Sequence, residues 1–131
     1  MPERARDELG RPLPPGSVGV PAVPDVFRDD AESLRVAQQQ LDAGRPFAAH
    51  EVLEARWKSC PPAQRQHWQG LAQAAVALTH LRRGNTTGAR RLARRAIDNG
   101  AAEPDTLLFH QLQAIAEGHD QGLTVWDGDS P

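Results

Sequence analysis

His50, Glu51 and Glu54 fall within the run Phe47-Ala-Ala-His-Glu-Val-Leu-Glu-Ala-Arg-Trp57, at the spacing H-E-x-x-E. On a helix, at about 100° per residue, His50, Glu54 and Trp57 line up at i, i+4 and i+7, with Phe47 and Leu53 beside them. That line coincides with the apolar stripe a surface helix turns toward its core. An imidazole and a carboxylate there must be paired, liganded or functional, because an unpaired buried charge is costly. Glu51, one step further round the cylinder, falls off the line.

Four kinds of chemistry suit this group. A structural network would pair Glu54 with His50, Arg45 or Arg56 and set the helix register. A pocket would take a small polar ligand or peptide segment, with Trp57 and Trp68 as walls. Metal-dependent hydrolysis would follow the H-E-x-x-H zinc helix, whose two ligands lie one turn apart with a Glu as base. Here the second ligand is a carboxylate, and His80 would have to complete the set. A partner-binding helical module using an exposed face is the fourth.

The elements that must carry these residues are all helical. Asp29 or Asp30 caps a first helix through Leu34, Ala37 and Leu41, which Gly44 ends. Pro46 opens the second helix, and Pro61-Pro62 stops it. A third helix runs from about 63 to 83 and closes at Gly84-Asn85. Thr86 or Thr87 caps a fourth with Ala89, Leu92, Ala93, Ala96 and Ile97 on one face. Pro104 opens a fifth through Leu107, Leu108, Leu112 and Ile115 to Gly118. No strand alternation interrupts this order, so the expectation is an all-α, single-domain bundle of about five helices over residues 26–131. Residues 1–25 hold six of the eleven prolines and read as a flexible arm.

Apolar residues surround most of the third helix: Leu71, Ala72, Ala74, Ala75, Ala77, Leu78 and Leu81. It is therefore the expected central helix, in which Gly70 permits a close approach. Gln69, Gln73 and His80 form a polar seam along it. Packed antiparallel on the second helix, that seam would meet the His50/Glu54 line and complete a semi-buried site.

The run F-x-x-H-E-V-L-E-x-x-W, followed by W-Q-G-L-A-Q-A-A-V-A-L-x-H-L-x-R-G-N-x-x-G-A-R-R-L, resembles domain-of-unknown-function family 309. The likeness covers about residues 29–100 and includes Phe47, His50, Glu51, Glu54, Trp57, Gln69, Gln73, His80, Gly84, Asn85 and Gly88. It implies a helical bundle and carries no biochemical activity with it.

Composition narrows the partners. The net charge of −2 gives no global field toward nucleic acid or an anionic membrane. The longest apolar stretch, residues 74–78, is far below the ~20 residues a membrane span needs. A single cysteine, Cys60, excludes an internal disulfide and suits a reducing cytoplasm. No cofactor is named by any motif. Arg82, Arg83, Arg90, Arg91, Arg94 and Arg95 run without an acid until Asp98, and those on the fourth helix lie opposite its apolar stripe as a solvated face. Trp126 is expected to cover an apolar patch on the bundle.

Overall fold

The computed structural model describes residues 26–118. The expected arm at 1–25 and the tail holding Trp126 lie outside the described residues. Five helices follow in order: α1 Asp30–Asp42, α2 Pro46–Ser59, α3 Arg65–Arg82, α4 Thr86–Asp98 and α5 Leu107–Ala116, with a 3-10 turn at Pro62–Gln64 before α3. The described chain is an all-α bundle without strands.

Local chemistry sets most of these limits. Asp29 caps α1 by accepting from the Glu32 amide at 2.9 Å. Pro46 occupies the first position of α2, where its missing N–H costs nothing. Gly44 and Gly84 take φ of +76° and +80°, a left-handed conformation other residues rarely adopt. Each closes its helix by a Schellman pair. Gly44 N donates to Leu41 O and Arg45 N to Gln40 O; forty residues on, Gly84 N donates to Leu81 O and Asn85 N to His80 O. Helices α1–α2 and α3–α4 are therefore two hairpins turned by the same device.

Three details depart from the sequence expectations. Asn85, not Thr86 or Thr87, caps α4: its Oδ1 accepts from Gly88 N at 3.0 Å. An amide side chain reaches the third N–H of the helix, and the threonines fall inside the first turn. Pro104 precedes α5 by a turn, and Thr106 caps the helix through Phe109 N at 3.1 Å. Leu34 is 44% exposed, whereas Ser33 is buried and turns its Oγ toward Arg28 O.

Each helix packs mainly on its sequence neighbours, α3 lying between α2 and α4. Short connections make neighbours antiparallel. Arg56 near the end of α2 meets Asp30 at the start of α1, and Arg82 at the end of α3 donates to Gly44 O before α2. As expected, α3 is buried around most of its girth, from Trp68 through Leu78. Its approach to α4 depends on small residues: Ala74, Ala77, Ala89, Ala93 and Ala96 are all fully buried. A Cβ on Gly70 would stand 3.1 Å from Ala96 O and Ala101 N, so only glycine fits this crossing without movement.

Candidate functional site

The core-facing stripe of α2 is Ala49, Val52, Leu53 and Arg56, continued by Cys60 just past the helix end. The His50 line is rotated from it. Phe47, His50, Glu54 and Trp57 are all half-buried, forming a ledge along one flank of the helix. The sequence placed this line on the core stripe because Arg56 counted as polar. In the fold, Arg56 is buried and lends its stem to the interior.

On the ledge, His50 Nε2 lies 2.8 Å from Glu54 Oε2, and Lys58 Nζ lies 2.8 Å from Glu54 Oε1. These i, i+4 contacts fix the carboxylate between an imidazole and an ammonium. The Glu54 carboxyl is held below its ordinary value, chiefly by the hydrogen bond from Lys58, opposed by partial burial and aided by the His50 imidazole. Its side chain remains 35% exposed. The expectation that the His50/Glu54 line turns toward the core is thus corrected: Glu54 is at the rim. The Phe47 and His50 ring centroids are 5.4 Å apart. His50 Nδ1 is buried without a hydrogen-bond partner. Glu51 is exposed beside the ledge, as its rotation required.

The α3 seam has other partners than those expected. Gln73 Oε1 accepts from Asn99 Nδ2 at 2.7 Å, at the C-terminal end of α4. His80 Nδ1 lies 3.2 Å from Asn85 Nδ2, at the N-terminal end of α4. Gln69 is half-buried on the same line. Two seam residues therefore hold the two ends of α4, and the pairing of this seam with Glu54 or His50 is replaced by pairing with asparagine caps. The physical reason is that α4, anchored by the Gly70 crossing, brings its capping amides to the seam.

Among the described residues no three His, Cys, Asp or Glu side chains are grouped to hold a metal ion. His50 and Glu54 share a face as H-E-x-x-E requires, but His80 does not complete a set with them.

Burial pushes the His80 pKa below its ordinary 6.5, and Arg83 and Arg91 push it the same way. The folded chain then binds fewer protons than the unfolded chain between the lowered value and 6.5, so stability is lost as pH falls through that window. Melting temperatures measured from pH 7 to pH 5 are expected to decline, and His80→Gln is expected to flatten the decline. An identical slope in the variant would remove His80 as its source. The Glu54 contribution is separate, because a depressed carboxyl loses its stabilisation only as pH falls below about 4.5.

The sequence offered Arg56 and Arg45 as partners for Glu54, but Glu54 pairs with His50 and Lys58, and Arg56 pairs with Asp30 instead. Only 9% exposed, it pairs its Nε with Asp30 Oδ1 at 2.8 Å, with its guanidinium 5.9 Å from the Phe27 ring centroid and 6.0 Å from that of Trp68. Beside it opens a cleft of about 230 Å³, lined by Phe27, Ser33, Val52 and Ser59 among others. The signal for the burial of Arg56 was the i+3, i+4 and i+7 spacing of Val52, Leu53 and Arg56 from Ala49. His67 is exposed, with its Nδ1 2.7 Å from Gly100 O. Trp68 is core, while Trp57 packs on the core from the ledge. Cys60 is buried, its Sγ 3.4 Å from Trp57 O.

Fold and ledge together define a small helical bundle with a half-buried polar strip along α2. Residues 34–92 match the family described as Domain of unknown function (DUF309), which bears out the resemblance carried by the two motif blocks. The match takes in α1 from Leu34, all of α2 and α3, and α4 to Leu92, hence every ledge and seam residue. The uncharacterized protein YpuF of Bacillus subtilis (strain 168) is 52% identical over 52 residues, 39% of this chain and 30% of that protein. The chain thus spans under a third of that relative's length. No solved structure matches.

Proposed function

We propose that the protein is a non-catalytic binding module whose α2 ledge receives a small polar ligand or a segment of a partner. The observation that carries this reading is the pre-oriented His50–Glu54–Lys58 relay, open at its rim and flanked by Phe47 and Trp57. Glu54 stays ionised there and suits a hydrogen-bond donor or ammonium group, with the aromatic rings receiving an adjoining apolar stem. Glu51 adds a second carboxylate beside the strip. The setting is the cytoplasm, which suits the unpaired thiol of Cys60. No helix among the described residues is long and apolar enough to cross a membrane.

A thermal-shift titration against short peptides with free amino termini tests the reading. At about one hundred times the dissociation constant, a bound peptide adds about 2.7 kcal/mol of stability. Glu54→Gln and Trp57→Ala are expected to abolish the shift. Stabilisation that survives both substitutions, or a panel that shifts nothing, overturns it.

A purely structural role is favoured for part of the group by two contacts, Gln73 with Asn99 and His80 with Asn85. These residues then serve α4, and the ligand belongs to the ledge alone.

A further inference from the structure

Helix α4 turns Arg90, Arg91, Arg94 and Arg95 outward, all exposed, and α5 ends against this face. Arg94 Nη2 donates to Ala116 O at 3.3 Å. A Cβ placed on Gly118 would lie 3.6 Å from Arg90 Cζ. At the same place a cleft of about 190 Å³ opens between α3, α4 and α5, lined by Leu81, Thr86, Ala89, Arg90, Ile115 and Gly118. Beyond Gly118 the sequence continues His-Asp-Gln-Gly-Leu-Thr-Val-Trp-Asp-Gly-Asp-Ser-Pro.

We propose that residues 119–131 dock on the arginine face of α4, with Trp126 seated in the cleft beside Arg90. Charge complementarity selects this occupant: the segment carries Asp120, Asp127 and Asp129 and no Lys or Arg, opposite a helix face of four arginines. The apolar content fits as well, since Leu123, Val125 and Trp126 supply a cluster for a cleft whose floor is Leu81, Ala89 and Ile115. An arginine at the cleft edge also suits the face of an indole. Reach is ample. Eight residues from Gly118 to Trp126 extend up to about 27 Å, and the whole of α4 is about 20 Å long.

Fluorescence of the full chain tests this. The spectrum of Trp126 is the difference between the intact chain and Trp126→Phe, because Trp57 and Trp68 are common to both. Docking is expected to place that difference spectrum to the blue of free tryptophan in water. Arg90→Glu with Arg91→Glu is expected to move it to the free position while helicity by circular dichroism stays unchanged. Arg94 is left in place because it holds α5. Adding Asp120→Arg and Asp127→Arg to the double variant is expected to restore the blue shift. A solvent-like spectrum in the intact chain overturns the proposal, as does a blue shift indifferent to Arg90 and Arg91. A blue shift that grows with protein concentration assigns the face to a second copy and also overturns it.

Discussion

Leu53→Ala is expected to destabilise the fold by about 3 kcal/mol, from the lost transfer energy of the side chain plus the cavity it leaves. Leu53 is fully buried on the α2 stripe that faces the core, and α1 and α3 pack on both sides of that helix. Leu34→Ala, which removes the same atoms from a side chain that is 44% exposed, is expected to change stability by no more than about 0.5 kcal/mol. Denaturant melts of the two variants measure the difference directly. Equal losses would mean that α1 presents Leu34 to the core, contrary to its observed rotation.

Asp30→Ala is expected to cost about 2 kcal/mol, more than its exposed position suggests. Its partner Arg56 is 9% exposed, so deleting the carboxylate strands a buried guanidinium against Phe27 and Trp68. The value is set below that of a fully buried pair because Asp30 is half-exposed and the adjoining cleft admits water. Arg56→Met removes the charge and keeps the apolar stem, and is expected to be nearly neutral. The contrast separates electrostatics from packing. If Arg56→Met costs as much as Asp30→Ala, the guanidinium itself, through its hydrogen bond and ring contacts, is the stabilising group.

The helix count and most helix ends were legible because this chain is punctuated by residues with one local role. Asp29 caps, Pro46 starts, Pro61-Pro62 stops, and Gly44 and Gly84 turn left-handed. These effects act within a few residues and need no tertiary information. The rotation of α2 was not legible. Two arcs of that helix compete, one with Phe47 and Trp57, the other with Ala49, Val52 and Leu53, and the deciding residue is Arg56, whose burial depends on Asp30 twenty-six positions away. The His50–Glu54 contact was readable from i, i+4 spacing alone. The partners of Gln73 and His80 were not, since they depend on where α4 lands after the Gly70 crossing.

Holding an ion pair half in water yields little stability, typically below about 1 kcal/mol. The ledge also leaves His50 Nδ1 buried without a partner, which opposes folding. A strip that does so little for the fold is retained, in the proposed reading, for what it binds. The most direct measurement is a double-mutant cycle of His50→Leu and Glu54→Gln followed by chemical denaturation. His50→Leu is expected to leave stability unchanged or raise it, Glu54→Gln to lower it by less than about 1 kcal/mol, and the coupling between them to stay below about 1 kcal/mol. Losses of more than about 2 kcal/mol for each single variant, with coupling of similar size, would make the pair a structural strut and contradict the assignment of the ledge as a binding site.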